Sequence, residues 1–163
     1  MAAVAAWGSA EASGLITVVS GLPRSGTSLA MQWLEAAGLP PFTDHRRAAD
    51  ASNPQGYYEA EIVQSLPQRS DWLPQAEGHA IKVIHLLLPC LPRDRPYRVL
   101  LMELELQAVL RSQQRMLERL GRRGAALPEP RLKAVYEAQW QAMERAPHFG
   151  GGAYRCWSIS PLP

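Results

Sequence analysis

Lysine is almost missing from this chain. Its 163 residues contain only Lys82 and Lys133 among 17 basic side chains, so the positive charge is nearly all guanidinium, which suits planar, bidentate binding of phosphate or sulfate. Codon usage in a GC-rich genome would give the same bias. Cysteine is as scarce: Cys90 and Cys156 provide neither a disulfide framework nor a metal-ligand spacing, and a reducing cytoplasm is the expected compartment. Charge of one sign is lacking too. The balance of 17 basic against 15 acidic residues leaves +2, which gives no argument for a nucleic-acid or membrane partner. No apolar run approaches the roughly 18 residues of a membrane helix, because Lys82, His85 and Pro89 interrupt the best one. The opening MAAVAAWGSAEASG has no basic n-region and no sustained apolar h-region, so it does not read as a signal peptide.

What is present fits one globular domain. Hydrophobic residues at 47% and charged residues at 20% supply a core without excess surface charge, and the 163 residues are expected to form one domain and not a multidomain enzyme. The run Leu15 to Ser20 is short, β-branched and bounded by glycines, a buried strand. A glycine loop, residues 21–28, follows directly. Ala30, Trp33, Leu34 and Ala37 then share one helical face up to Gly38. Residues 40–57 are polar and turn-rich, and a short helix is expected from Tyr58 to Leu66. Residues 80–88 and 97–103 have strand length and composition. Leu106, Val109, Leu110, Leu117 and Leu120 mark a helix, and Leu132, Tyr136, Trp140 and Met143 mark a last one ending at Pro147. This alternation predicts an α/β domain over 1–146, with a central parallel sheet, flanking helices and a ligand at the C-terminal ends of the strands. Residues 147–163, with three consecutive glycines and no usable periodicity, read as an irregular C-terminal tail.

The loop Gly21-Leu22-Pro23-Arg24-Ser25-Gly26-Thr27-Ser28 has the spacing of a phosphate-binding loop, with Thr27 in place of its lysine. The anion-binding physics survives that replacement. Loop N–H groups and the following helix N-terminus converge on one point; Arg24 adds a planar cation, and Ser25, Thr27 and Ser28 add hydroxyls. A plain glycine turn between strand and helix is the simpler alternative.

The stretch from Val18 to Ser28 resembles the phosphosulfate-binding loop of the sulfotransferases. Asp44, the run from Arg46 to Asp50, the run from Asn53 to Glu59 and Ser112-Gln113 extend the resemblance to small bacterial sulfotransferase-family proteins, over roughly residues 15–146. The resemblance implies a P-loop-type three-layer fold and transfer of a sulfuryl group from 3′-phosphoadenosine 5′-phosphosulfate to a hydroxyl or amine of a small-molecule acceptor. Arg24, Ser25, Gly26, Thr27 and Ser28 would then bind the 5′-phosphosulfate. No metal is implied, because a sulfuryl group carries less negative charge than the phosphoryl group for which kinases use magnesium. The family usually holds the donor's 3′-phosphate with an arginine and, eight residues later, a serine. Ser112 matches the serine, whereas Leu104 stands at the arginine position. Arg111, Arg115 and Arg119 follow at four-residue spacing, either as compensation or as a solvated helix face.

Transfer to a hydroxyl needs a base. By resemblance to the family the candidates are Glu59, after the Tyr57-Tyr58 pair, and His85, three residues beyond Lys82; Asp44 and His45 are secondary. Glu59 as a helix-starting carboxylate and His85 as a core histidine are the plainer alternatives. Two other functions stay open. One is a nucleotide kinase, suggested by the run Val99 to Glu103 and by Ser28 as a magnesium ligand. The other is a degenerate, non-catalytic anion-binding module. Five tryptophans and five tyrosines would furnish an aromatic acceptor pocket, although Trp33, Tyr136 and Trp140, at helical spacing, read as core. Oligomeric state is left open.

Overall fold

The computed structural model describes residues 14–46, 48–51, 53–54, 56–103, 105–119, 121, 128–144 and 154–159. Strand β1 (Ile16–Gly21) is buried at all six positions. It lies between β2 (Ala80–Lys82) and β3 (Tyr97–Met102), parallel to both, with Val18 level with Ile81 and with Val99. A fourth parallel strand, β4 (Tyr154–Ile159), pairs with the other side of β3, giving the order β2-β1-β3-β4. A strand covered on both faces and flanked on both edges has no solvent side, which is why β1 carries no charged residue and buries Thr17 and Ser20 with Ile16, Val18 and Val19.

Side-chain alternation divides the core into two layers. Ile16, Val18, Ile81, Val99 and Leu101 point to one face and pack with Trp72, Leu73, Leu88 and Leu91. Val19, Leu100 and Met102 point to the other, where α1 (Thr27–Ala36) lays Ala30, Met31 and Leu34 against them. A third cluster joins Leu22 of the glycine loop to Val109 and Leu110 of α2 (Leu106–Arg119) and Tyr136 of α3 (Glu129–Glu144). Each such buried side chain contributes about 1.5–3 kcal/mol, so Leu22 anchors the loop to the two later helices. Among the described residues, no helix is long and apolar enough to cross a membrane.

Three expectations need correction. The segment Tyr58 to Leu66 is not a full helix: Tyr58 is in the left-handed region, Ala60 is extended, and only Glu61–Ser65 coils, as a 3-10 turn. The strand expected over residues 80–88 stops at Lys82. By the same register Ile84 would sit level with Gly21, where β1 ends, so the chain runs out of ladder partners after Val83 N–H bonds the Val19 carbonyl and turns into the 3-10 segment His85–Cys90. The third concerns the tail, read as irregular over 147–163: its residues Tyr154–Ile159 form β4. Their aromatic and β-branched content favours a strand, and the outer edge of β3 supplies the backbone partners. That pairing joins residues more than fifty positions apart in the chain, for instance Val99 with Cys156, so local periodicity carries no trace of it.

Candidate functional site

Where β1 ends, the chain makes a tight turn in which Ser25 N–H donates to the Leu22 carbonyl at 3.1 Å, and Gly26, at φ +95°, leads into α1. Arg24 also occupies the left-handed region, at φ +71°. For a residue with a Cβ that conformation costs on the order of 1–3 kcal/mol. Crowding is tightest at Gly21, where a Cβ would come within 2.5 Å of Ser25 Oγ and 2.9 Å of the Met102 carbonyl oxygen. Glycine is the residue that fits. Beneath the loop, the hydroxyls of Ser20 and Ser25 are buried and have no hydrogen-bond partner, a costly arrangement for a polar atom that meets no ligand.

From the exposed side of the loop, Arg24 Nε donates to Ser112 Oγ on α2 at 3.1 Å. Two residues 88 positions apart, both expected to contact the donor, thus meet. Leu104, the position expected to weaken that clamp, lies outside the described residues. Arg111, Arg115 and Arg119 are exposed along α2, with Arg111 3.7 Å from Glu105 and Arg115 bonded back to the Arg111 carbonyl. They form a solvated face.

Lys82 organises the other wall. Its side chain is only 10% exposed, and Nζ donates to Ser28 Oγ at 3.1 Å, the Tyr57 carbonyl at 3.0 Å and Glu59 Oε1 at 3.2 Å. An ammonium has three donors and tolerates burial when each finds an acceptor. Ser28 Oγ also accepts from Asn53 Nδ2 at 2.9 Å, and the Tyr57 hydroxyl donates to Asp50 Oδ2 at 2.7 Å. The polar 50–59 segment is thereby tied to the start of α1. Ser28 acts here as a strut between protein groups.

Between the loop, the end of β2 and α2 lies a cavity of about 860 Å³ whose walls include Arg24, Thr27, Glu59, Lys82 and Met116. Of the candidate bases, Glu59 lines it. His85 does not: it is buried, its Nε2 is 2.9 Å from Gln139 Oε1 on α3, and its Nδ1 has no partner. The early end of β2 and the 3-10 turn carry it toward α3 instead. Asp44 reaches the cavity rim, where its carboxylate accepts the N–H groups of Glu61 at 2.7 Å and Arg46 at 3.0 Å. Those two bonds, with the Arg46 charge, hold the carboxyl below the ordinary aspartate value. Arg46 is ion-paired with Glu61. His45 is exposed in left-handed backbone beside them.

Among the described residues, no aromatic side chain lines the cavity. Trp33 is half-exposed on α1, whereas Tyr136 is buried and Trp140 packs beside it. Sequence reasoning did not assign a role to Lys82, although its signal was available: one of two lysines in an arginine-rich chain, at the end of a buried strand. Among the described residues, no three His, Cys, Asp or Glu side chains gather in a metal-holding cluster. Compared with protein-family models, curated proteins and solved structures, the chain matches none of them.

Proposed function

We propose that this chain is a sulfotransferase of P-loop-type architecture that binds 3′-phosphoadenosine 5′-phosphosulfate at the glycine loop and passes its sulfuryl group to a hydroxyl or amine acceptor in the adjoining cavity. One observation carries the reading: Arg24, inside a strand-loop-helix turn, meets Ser112 of α2 at 3.1 Å, so a loop cation and a helix hydroxyl converge from distant parts of the chain. The ten-residue α1 directs the positive end of its dipole to the same place.

The donor supplies an activated sulfur-oxygen bond to a phosphate leaving group. Arg24 and the loop N–H groups bind the phosphosulfate and stabilise the charge growing on the departing oxygen. Lys82 holds the Glu59 carboxylate in the cavity wall through their 3.2 Å ion pair. Glu59 takes the acceptor proton as the new bond to sulfur forms.

The test is product formation from the phosphosulfate donor with a panel of alcohols, phenols and amines, followed by release of adenosine 3′,5′-bisphosphate. Glu59→Gln is expected to lower kcat by about a hundredfold or more with donor affinity retained. A chelator should leave the rate unchanged. A rate supported by magnesium ATP and not by the phosphosulfate would replace this reading with a kinase, and nucleotide binding without turnover would leave a binding module.

A further inference from the structure

Resting on the sulfotransferase reading, we infer that the acceptor is a neutral alcohol on a saturated aliphatic chain, selected by Ile84, Leu87 and Met116. The chemistry of the cavity wall carries this. Beside the polar groups of Arg24, Thr27, Gln64 and Lys82, the wall carries Leu22, Pro23, Val63, Ile84, Leu87 and Met116. Every one of these is aliphatic or a thioether, and among the described residues the wall presents no ring for a phenol to stack on. Ile84 is 45% exposed, and Leu87 and Met116 are half-buried. Three large apolar side chains, one just before the 3-10 segment, one within it and one on α2, thus line one space, and its volume of about 860 Å³ is that of a small-molecule site.

Charge narrows the class further. The cavity wall and rim carry Arg24, Arg46 and Lys82 against Asp44, Glu59 and Glu61. Arg46 is paired with Glu61, Lys82 with Glu59, and the Asp44 carboxylate is held by two N–H groups. A charged acceptor would have to break one of these arrangements, whereas a neutral hydroxyl needs only the Glu59 carboxylate in the same cavity wall. In the step so formed, the alcohol oxygen bonds to sulfur, the sulfur-oxygen bond to the nucleotide phosphate breaks, and the hydroxyl proton goes to Glu59. The products are an alkyl sulfate and adenosine 3′,5′-bisphosphate.

The experiment uses the full chain, the phosphosulfate donor and straight-chain primary alcohols from butanol to dodecanol, with phenol and glucose as contrasts. The expected kcat/KM rises roughly threefold per added methylene until the cavity is full. Ile84→Asn and, separately, Met116→Gln should each raise KM for decanol about tenfold with kcat and donor affinity kept. Phenol or glucose turning over as well as decanol overturns the inference, as does a flat chain-length series. If no acceptor is sulfated, the sulfotransferase reading fails on its own, and saturation-transfer NMR with decanol alone decides the cavity. Saturable binding weakened in Ile84→Asn supports an aliphatic site, and no binding, or binding indifferent to both variants, overturns it.

Discussion

Lys82 joins three elements through a single ammonium. At the last position of β2 it donates to a side chain of α1 and to a carbonyl and a carboxylate of the 57–59 segment. Lys82→Met keeps the apolar stem and removes the donors, taking one hydrogen bond each from Ser28 Oγ, the Tyr57 carbonyl and the Glu59 carboxylate. A loss of about 1–3 kcal/mol is expected, read as a lower urea midpoint at unchanged m-value. Lys82→Arg should not restore it, since a planar fork does not match three separately directed acceptors. An unchanged midpoint in Lys82→Met would make the ammonium structurally dispensable. Asp44 gives a prediction in pH. Its folded carboxyl titrates below the ordinary 3.8, so it contributes stability above 3.8 that is lost as pH falls through the lowered folded value. The Tm advantage of the native chain over Asp44→Asn should therefore shrink through that acid window and be constant above it. A constant difference down to the lowest pH would show that the two N–H bonds do not depend on the carboxylate charge.

At the scale of elements, what was legible depended on how local the cause is. The strand at Leu15 to Ser20, the loop and the helix behind it all follow from adjacent residues, and β1, the turn and α1 lie where those residues put them. The length of β2 does not, because it is set by where its neighbour β1 stops. For the same reason His85 reads as a strand-end base in sequence and sits against Gln139 in the fold. Strand β4 is the larger case, since its partner β3 is remote in sequence. Removing residues 154–163 would strip the outer edge of β3, whose Val99, Leu100, Leu101 and Met102 are buried, and leave unpaired backbone beside apolar side chains. Such a truncated chain should melt at least about 5 °C lower, each kcal/mol being worth roughly 2–4 °C in a chain of this size, and should aggregate on heating. An unaltered melting curve would contradict the pairing of β4.

Across the whole molecule, the parallel sheet brings Gly21, Lys82 and Met102 to its C-terminal end, where open α/β sheets hold their ligands. Composition and the loop motif pointed to that end. The cavity itself was not legible, because its walls come from a 3-10 turn, the middle of α2 and the 57–64 segment, assembled by tertiary packing alone. Nor was the pairing of Arg24 with Ser112, although both residues stood out singly. The central claim is that this loop binds the phosphosulfate end of a nucleotide donor. Its most direct test is calorimetric titration of the native chain and of Arg24→Ala with adenosine 3′,5′-bisphosphate, beside magnesium ATP as the competing ligand. The expected result is saturable binding of the bisphosphate, tighter than that of magnesium ATP, and a loss of about 1.5–3 kcal/mol in Arg24→Ala with the melting temperature preserved. An identical dissociation constant in the two proteins, or no bisphosphate binding by the native chain, would contradict it.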